Sequence, residues 1–338
     1  MLTTSASHLT SPNQGNSVSV PTRATLPGLL LLLGCGGAAA PDDFDEGADT
    51  ADSLDSASEP ADELTILSLN LHCFKLDGTT YASNDARFAA IADTVAGAGV
   101  VAIAVQEACE NAAEGVAIDR LAAALERATG VPWGTAWTAT HTAWEGTEDE
   151  ALEGVGLLFS GADPADVATL VYSNQGALER RALAGTYTPG EGSDVRLYSV
   201  HLDYEDLDVR RAQSRQTAMH ALVYADEPWG VFVAGDFNAL AADDAVQDFG
   251  SAGFARLSAA SDAGGTEIDH VFAPGPANVE VVESRLLFDG SSEPEVSDHP
   301  GVLVRLRRGE PTPAVSTRFV ASYDAGLGHG LALRGATS

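Results

Sequence analysis

Short apolar runs recur along the chain from Leu64 to Arg307, and most of them end at a polar or charged residue. Runs of this length, bounded by polar residues, predict β-strands. The predicted strands are Leu64–Asn70, Val100–Gln106, Gly154–Ser160, Val167–Tyr172, Arg196–His201, Gly230–Asp236, Glu267–Phe272, Val279–Leu287 and Gly301–Arg307. Longer segments with apolar residues near helical spacing predict helices at Asp85–Ala96, Ala112–Ala128 and Asp206–Ala225.

The order of these elements limits the fold class. Strands outnumber helices, and several strands follow one another with no helix between them. A doubly wound parallel sheet requires regular alternation of the two, so this pattern does not fit one. It fits an α/β fold in which two β-sheets pack face to face and helices cover their outer faces. The chain has 338 residues, 45% of them hydrophobic, which is enough to bury such a core.

An apolar stretch near the N-terminus indicates export. The sequence LPGLLLLLGCGG, Leu26–Gly37, is too short to span a bilayer permanently and fits the hydrophobic core of a signal peptide. LLGC, which ends at Cys35, resembles the lipobox of bacterial lipoproteins, whose cysteine is acylated. We therefore predict a signal peptide over residues 1–35, lipidation at Cys35, and a lipoprotein anchored at the outer membrane, in the periplasm or on the cell surface. An ordinary secretory signal with a chance cysteine is the alternative.

The segments that flank the main domain, residues 64–308, have a different composition. Residues 36–63 are rich in Asp, Glu, Ala and Ser, and we predict a disordered tether because they bury too little apolar surface to fold. Residues 309–338 begin with a linker, GEPTPAV, and continue with strand-like runs that look like the opening of a small β-sandwich carbohydrate-binding module. About thirty residues cannot form that fold alone. We expect either a truncated module or a tail that packs on the main domain.

The charge of the chain restricts its partners. The formal net charge is −31, from 49 acidic and 18 basic residues. An acidic surface repels the phosphates of nucleic acids and offers no general basic patch for them. Solubility, or adaptation of the proteome to salt, also explains such a charge. We expect a monomer without an obligate protein partner.

Polar residues stand at the ends of the predicted strands. Asp236 and Asn238 follow the apolar part of VFVAGDFNAL two residues apart, so we expect them on one face. Each such residue, taken singly, is typical of a turn. Together they predict one shared pocket, because ligands bind at the carboxyl ends of strands in α/β folds. The residues are Asn70, Glu107, His201, Asp203, Asp236, Asn238, Asp269, Asp298 and His299.

The series N, QE, HLD, GDFN, ID and SDHP, from Asn70 to His299, resembles the endonuclease/exonuclease/phosphatase superfamily, which includes pancreatic-type deoxyribonuclease, neutral sphingomyelinases and inositol-phosphate phosphatases. GDFN alone is moderately specific, but its combination with an earlier QE and a later SDHP is strong. The resemblance runs from about Leu64 to Arg308. It implies a four-layer α/β sandwich and a metal-dependent phosphoric-ester hydrolase.

The resemblance implies a metal site and a group that activates water. Glu107 and Asn70 match metal ligands, and Asp298 matches a residue near the metal that could be a second ligand. The implied cofactor is Mg²⁺, with Mn²⁺ or Ca²⁺ as substitutes, since carboxylate oxygens suit it and a divalent cation polarises the phosphoryl oxygens. Asp236 would orient and deprotonate the attacking water, and Asn238 would hold that water or the phosphate.

The resemblance also places histidines at the phosphate. His299 would contact it, with its ring fixed by Asp269, and His201 would stabilise the phosphate or help the leaving group. Pancreatic-type deoxyribonuclease pairs a glutamate with its counterpart of His201, which makes Glu153 a candidate acid partner. The alternative is that Glu153 only caps a loop.

Two departures from the family and one segment affect substrate contacts. Many relatives carry an arginine where this chain has Gly161, and His270 replaces the usual tyrosine. The segment Trp133–Glu153 is predicted to be a loop at the rim of the pocket. Two roles are open for its aromatic side chains. In the first they contact the substrate, by stacking on bases or sugars or by resting on lipid, and in the second they only close the loop's own small core. The side chains in question are Trp133, Trp137 and Trp144, with His141 among them.

Cys73 and Cys109 follow two of the implied metal-site residues. If Asn70 and Glu107 share a metal, their strands end close together, and the cysteines just beyond them should be neighbours. An exported protein tends to pair its cysteines, so we predict a disulfide. Two free thiols are the alternative, should the loops diverge after the metal site.

Three functions compete. The first is an exported Mg²⁺-dependent phosphodiesterase with a phosphoester substrate, nucleic acid included. The second is a phosphomonoesterase of the same fold acting on inositol or sugar phosphates, or a phosphodiesterase acting on phospholipids. The third is a non-catalytic surface-binding module, which predicts the loss of at least one of Glu107, Asp236, Asp269 or His299. All four are present, which disfavours the third.

Overall fold

The computed structural model describes residues 63–189, 194–225, 229–260, 267–275 and 279–309. The predicted signal peptide with Cys35, the tether up to residue 62, and residues 310–338 lie outside these ranges. Across the ranges described, no helix combines the length and the apolar character needed to cross a membrane.

The described residues form strands and helices in mixed order. The strands are β1 (Glu63–Asn70), β2 (Ala102–Gln106), β3 (Glu110–Asn111), β4 (Gly115–Val116), β5 (Trp133–Ala143), β6 (Ala151–Ser160), β7 (Ala165–Val171), β8 (Arg181–Tyr187), β9 (Val195–His201), β10 (Val231–Asp236), β11 (Phe254–Arg256), β12 (Asp269–Pro274), β13 (Val279–Leu287) and β14 (Gly301–Arg308). The helices are α1 (Asn84–Ala98), α2 (Ala117–Thr129), α3 (Leu207–Ala221) and α4 (Asp244–Ser251), with 3-10 turns at Leu222–Tyr224 and Leu257–Ala260.

The strands make two mixed sheets. The first has the order β13–β14–β1–β2–β6–β3–β4, with β5 also hydrogen-bonded to β6. The second has the order β11–β12–β10–β9–β8–β7. Among the strand pairs that the structure describes, β1 with β2 and β9 with β10 are parallel, and the others are antiparallel. Each sheet therefore has one parallel pair, whose two carboxyl ends lie at the same edge.

Side-chain alternation explains the four layers. Ile66 of β1 points into the core between the sheets, where it joins Phe232 of β10. Leu67 points the other way, into the core that α1 and α2 close. Because β1 and β2 are buried on both faces, their sequences are almost continuously apolar. Phe237 and Phe249 belong to a third core, under α3 and α4. The predicted four-layer α/β sandwich is confirmed.

The prediction that Trp133–Glu153 is a loop is wrong. Its first part is β5, which pairs antiparallel with β6, and residues 144–150 connect the two strands. The small residues of the hairpin hid it from the apolar pattern, yet they serve the packing. A Cβ atom on Gly154 would lie 2.5 Å from Nε1 of Trp137, so the glycine makes room for the tryptophan. Glu153 lies inside β6, and the interpretation that it only caps a loop is also wrong.

Other differences have similar causes. Strand β8 and helix α4 were not predicted. The sequence of β8, RALAGTY, contains small residues that do not form a strong apolar run, and α4 spans only 8 residues. Helix α2 begins at Ala117 rather than Ala112, because β3 and β4 form a small hairpin before it. The side-chain oxygen of Asn111 closes that hairpin by accepting hydrogen bonds from the backbone N–H groups of Ala113 and Glu114. The remaining predicted elements differ from the observed ones by a few residues at their ends.

Candidate active site

Strand register brings the polar strand ends together. Asn70 ends β1 beside the last residue of β2, and Glu107 follows directly. His201 and Asp236, the last residues of β9 and β10, are partners in register. Strand β12 is antiparallel to β10 and places Asp269 opposite Asp236. The polar residues predicted to share a pocket therefore meet where the parallel pairs of both sheets end.

Asn70 connects the two sheets at this edge. Its Nδ2 atom donates to Oε1 of Glu107 over 3.0 Å and to Oδ2 of Asp236 over 3.2 Å. Its Oδ1 atom accepts a hydrogen bond from the backbone N–H of His72 over 2.9 Å. In this orientation Asn70 is a donor that holds two carboxylates in place. Its predicted role as a metal ligand requires the amide to turn its oxygen toward Glu107.

Glu107 is held in an uncommon backbone conformation. Its φ is 46°, in the left-handed region that non-glycine residues rarely adopt. Burial raises the pKa of Glu107, and the nearby charges of Glu153 and Asp236 raise it further, against the opposing effects of His201 and Asn70. Crowded, desolvated carboxylates of this kind favour a bound cation, which would restore their charged forms.

The GDFN motif forms a tight turn after β10. Gly235 has a φ of 151°, and a Cβ atom there would lie 2.1 Å from the carbonyl oxygen of Val200, so only glycine allows this approach of β10 to β9. The backbone N–H of Asn238 donates to Oδ1 of Asp236 over 2.7 Å. Its Nδ2 atom donates to the carbonyl of Leu202 over 3.0 Å, which leaves its side-chain oxygen as the remaining polar atom for the predicted contact with water.

His299 and Asp269 form a close pair in the site. Nδ1 of His299 lies 2.7 Å from Oδ2 of Asp269 and 3.9 Å from Oδ2 of Asp236. Burial acts to lower the pKa of His299, but the hydrogen bond and charge of Asp269 outweigh it and raise that pKa to about 10. Asp269 holds Nδ1, as the resemblance implied, so Nε2 is the atom that remains for the predicted contact with a phosphate oxygen.

Glu153 is a buried carboxylate among basic side chains. Its Oε1 atom accepts a hydrogen bond from Nη1 of Arg180 over 2.7 Å and lies 3.4 Å from Nδ1 of His201. Its Oε2 atom lies 3.5 Å from Nε2 of His141. Burial acts to raise the pKa of Glu153, but the hydrogen bond and charge of His201, with the charges of Arg180 and His141, lower it to about 2. Nε2 of His201 lies 3.5 Å from Oδ2 of Asp236, so His201 stands between Glu153 and Asp236.

Asp298 and Asp203 lie at the margin of this arrangement. Oδ1 of Asp298 is 3.2 Å from Nδ1 of His72, and the side chain is 50% exposed. Among the described residues, the groups whose ligand atoms lie close enough to share a cation do not include Asp298. Asp203 accepts hydrogen bonds from the backbone N–H groups of Glu205 and Asp206, so it holds the turn before α3.

The donor atoms fit a hard divalent cation. One group of potential ligands includes Glu107 and Glu153, and another contains Asp236, Asp269 and His299. The first group also contains a sulfur of Cys73, but that sulfur is bonded to Cys109 and offers no thiolate. The remaining donors are mostly carboxylate oxygens, which suit Mg²⁺. Within the part of the chain that the structure describes, the buried Oδ1 atom of Asp269 has no hydrogen-bond partner.

Cys73 and Cys109 form a disulfide directly beside the site. Their Cα atoms are 4.9 Å apart, within the range of about 4.4–6.8 Å that a bridge requires. The backbone N–H of Cys73 also donates to the carbonyl of Glu107 over 3.0 Å. The loops after β1 and β2 therefore stay together rather than diverge.

Sequence reasoning missed Arg180 and the role of His141. Arg180 is only 3% exposed, and besides Glu153 it contacts Nδ1 of His201 at 3.0 Å. It directly precedes β8, a strand that the apolar pattern did not reveal. The available signal was the pair of adjacent arginines in LERRAL. A buried arginine beside a strand needs an acidic partner, so the pair pointed to a buried carboxylate nearby.

Comparison with known proteins identifies the family. The family model described as "Endonuclease/Exonuclease/phosphatase family" matches residues 67–299. The chain belongs to this family, and it is an enzyme of the metal-dependent phosphoric-ester hydrolase class. A comparison with curated protein sequences finds no match.

Solved structures share the fold at low sequence identity. An endonuclease/exonuclease/phosphatase family protein from Leptotrichia buccalis is 19% identical, with a TM-score of 0.58 over 72% of this chain and 99% of that one. The human Nocturnin catalytic domain, solved with a bound sulfate anion, is 15% identical, with a TM-score of 0.55 over 73% of this chain and 94% of that one. A mannosyl-6-phosphatase from Bacteroides thetaiotaomicron is 15% identical, with a TM-score of 0.51 over 72% and 99%.

Proposed function

We propose that this hydrolase is an exported Mg²⁺-dependent phosphodiesterase. The observation that carries the proposal is the charge of the site. Glu107, Glu153, Asp236 and Asp269 converge there, and the cations recorded beside them, Arg180 and protonated His299, are each engaged with a carboxylate. A phosphodiester brings one negative charge and a phosphomonoester brings close to two at neutral pH. The acidic site therefore favours the diester.

The residues divide the reaction between two sides of the phosphate. Asp236 orients the attacking water and accepts its proton, with Asn70 and the backbone of Asn238 holding its two oxygens. Nε2 of His299 donates to a phosphate oxygen, because Asp269 holds the other ring nitrogen. His201, backed by Glu153, serves the leaving oxygen.

The cofactor would be held by Glu107. The family resemblance implies Asn70 and Asp298 as further ligands, but here the amide oxygen of Asn70 accepts a hydrogen bond from the backbone N–H of His72, and Asp298 lies outside the groups of close ligand atoms found among the described residues. A bound Mg²⁺ supplies polarisation of the phosphoryl oxygens and neutralises charge that develops in the transition state. Mn²⁺ is the substitute expected to support turnover best, since it accepts the same oxygen ligands.

A phosphomonoesterase is the second candidate. The mannosyl-6-phosphatase from Bacteroides thetaiotaomicron has the same fold, so the fold accommodates monoester chemistry.

Among phosphodiester substrates, two natural classes stand out, nucleic acids and phospholipids. The net charge of −31 disfavours tight binding of a nucleic acid without excluding its cleavage.

Paired model substrates test the proposal. The protein is assayed with bis(p-nitrophenyl) phosphate and with p-nitrophenyl phosphate, with Mg²⁺ and with EDTA, and an Asp236→Asn variant serves as the blank. We expect the diester to have the larger kcat/KM by at least about tenfold, which corresponds to about 1.4 kcal/mol. A preference of that size for the monoester would replace the proposal with the second candidate. DNA, RNA, phosphatidylcholine vesicles and inositol phosphates then identify the natural class.

The proposal includes anchoring by a lipid at Cys35, with residues 36–63 as the tether. LLGC at the end of an apolar run supports this part. An anchored enzyme would act on phosphodiesters outside the cytoplasm, where the pair Cys73–Cys109 is stable against cellular reductants.

A further inference from the structure

Arg87, on helix α1, is a buried arginine whose hydrogen bonds within the described residues reach no carboxylate. Its side chain is 0% exposed, and no ion pair is recorded for it among the described residues. Burial lowers the pKa of Arg87 to about 10, and the charge of Arg120 contributes. A desolvated charge of this kind is costly unless hydrogen bonds compensate it. The partners of its guanidinium group therefore indicate what the residue does.

The hydrogen-bond partners of Arg87 among the described residues are all backbone carbonyls. Nη1 of Arg87 donates to the carbonyls of Leu71 over 2.9 Å and Lys75 over 3.1 Å, and Nη2 donates to that of Cys73 over 2.6 Å. The carbonyl of Val296, which is 209 residues away in sequence, lies 3.3 Å from Nη1 and shares one of its two N–H groups with another carbonyl. One planar group thus binds two separate segments of the chain, which suits the fixed fork of arginine and not the single point charge of lysine.

The first segment, residues 71–75, follows Asn70 and has every carbonyl satisfied locally. The carbonyl of Phe74 accepts from Nδ2 of Asn84, in the first turn of α1, and that of His72 accepts from the N–H of Lys75. The other three bind Arg87. His72 and Cys73 have φ values of 46° and 50°, a conformation that persists only where the surroundings enforce it.

The opposite side of this segment is attached to the Glu107 strand end. The N–H groups of Leu71 and Cys73 donate to the carbonyls of Gln106 and Glu107, and the disulfide from Cys73 to Cys109 adds a covalent link. The second segment, at Val296, leads within three residues to His299. Arg87 therefore stands between the part of the site that carries Asn70 and Glu107 and the part that carries His299.

We propose that Arg87 is a positioning residue that fixes the His299 segment relative to Asn70 and Glu107. It touches neither substrate nor metal, and it acts through the backbone of residues 71–75 and of Val296. The inference rests on the proposed hydrolysis at this site for its kinetic consequence. Its structural consequence, the placement of His299 against Asp269, stands apart from any substrate.

The matched control is Arg196, a second buried arginine far from the site. Arg196 is 1% exposed and donates to the carbonyl of Asp166 over 2.6 Å and to the hydroxyl of Thr186 over 3.0 Å. It lies near the start of β9, at the opposite end of that strand from His201. Arg87→Met and Arg196→Met each remove a buried guanidinium group and leave its hydrogen-bond acceptors without that donor, so both should lower stability. They differ in which parts of the chain those acceptors position.

The test compares the two variants at a temperature where circular dichroism shows both to be folded. With bis(p-nitrophenyl) phosphate and Mg²⁺, we expect Arg87→Met to lower kcat about 10- to 100-fold, because small misplacements of catalytic groups carry costs of this order. The KM should stay within about threefold of the wild-type value. Arg196→Met should keep kcat within about twofold. Arg87→Lys, which keeps the charge with fewer donors, should fall between wild type and Arg87→Met.

A second measurement does not depend on turnover. In ¹⁵N-histidine spectra of the EDTA-treated protein, the Nδ1 signal of His299, assigned with His299→Gln, should shift or broaden in Arg87→Met and stay in place in Arg196→Met. Equal kinetic losses in the two methionine variants, or an unchanged His299 signal in a folded Arg87 variant, would overturn the inference. Should Arg87→Met not fold, the spectrum and kcat of Arg87→Lys decide by the same criteria. Wild-type protein without activity refutes the proposed function alone, and the spectra still test Arg87.

Discussion

The side-chain amide of Asn70 donates a hydrogen bond to Oδ2 of Asp236 over 3.2 Å, although 166 residues separate the two in sequence. Asn70 ends β1 of the first sheet, and Asp236 ends β10 of the second. The bond therefore crosses the interface between the sheets. Because the carboxylate that we propose to activate water is oriented from the opposite sheet, the arrangement exists only when the two sheets are packed together.

Loss of Asp236 or His299 should abolish most of the turnover. We expect Asp236→Asn and His299→Gln each to lower kcat about 10²- to 10⁴-fold, since each removes a positioned proton acceptor or a charge-stabilising donor. EDTA should abolish activity, and Mg²⁺ or Mn²⁺ should restore it. Asp248→Asn is the control, because Asp248 pairs with Arg211 and Arg215 on α3. Activity that resists the chelator, or near-normal turnover in either site variant, contradicts the mechanism.

The edge at which the site forms could be predicted from sequence because the signal is local. Each apolar run ends in a polar residue, and strands that end in Asn70, His201 and Asp236 can share an edge in few folds. The family resemblance added the order of the motifs. The excess of strands over helices predicted two packed sheets covered by helices, which agrees with the four-layer sandwich that the resemblance implied.

The partners within the site could not be predicted in the same way, because they depend on register between distant segments. Glu153 meets Arg180 and His201 only because β6 and β9 belong to different sheets that pack against each other. Asn238 was expected on the face of Asp236 by strand alternation. Its φ of 48° takes it out of the strand, and its amide binds the carbonyl of Leu202 instead.

The Glu153–His201 pair predicts a dependence on the leaving group. His201 should matter little when p-nitrophenolate leaves, since that anion needs no proton, and much more when an alkoxide leaves. We expect His201→Gln and Glu153→Gln to slow an alkyl phosphodiester about 10- to 100-fold more than bis(p-nitrophenyl) phosphate. His220→Gln, on α3, is the control, because His220 bonds to the hydroxyl of Tyr198. Equal losses on both substrates would remove the pair from the leaving-group side.

The Asp269–His299 pair predicts a pH dependence of stability in the metal-free protein. The pKa of His299 is raised to about 10 in the fold, against about 6.5 for an unfolded histidine. A raised folded-state pKa stabilises the protein fully below the unfolded value, and this contribution is lost as the pH rises toward the folded value. Urea unfolding of the EDTA-treated protein should therefore show the stability difference between wild type and His299→Gln shrinking from pH 6 to pH 10.

An NMR titration of the His299 ring checks the same prediction directly. The signal should stay that of the protonated ring through neutral pH, and Asp269→Asn should bring its midpoint down toward the ordinary value. His220 serves as the internal reference, since burial lowers its pKa and it should titrate below the ordinary histidine range. A midpoint near 6.5 for His299 in the wild-type protein contradicts the prediction.

Lipidation at Cys35 predicts a membrane-bound product. Expressed in a bacterium that processes lipoproteins, the protein should enter the membrane fraction with a mass that includes acyl chains and with Cys35 as its first residue. Cys35→Ser should block both the modification and the cleavage at that position, and Cys109→Ser should block neither. A wild-type product that is soluble and begins at another residue would refute the anchor.

The disulfide between Cys73 and Cys109 predicts a stability change that is accompanied by a loss of metal-site order. The bond closes a loop with a sequence separation of 36 residues, and in the chain-entropy model such a closure contributes about 3–4 kcal/mol. Mass mapping of the exported, unreduced protein should recover the two cysteines in one cross-linked peptide pair.

The double variant Cys73→Ala/Cys109→Ala should unfold at a lower urea concentration and require more Mg²⁺ for half-maximal activity, because Cys73 lies three residues past Asn70 and Cys109 two past Glu107. Alkylation of both thiols without prior reduction would contradict the bond. Unchanged Mg²⁺ dependence in the double variant would limit the bond to a stabilising role.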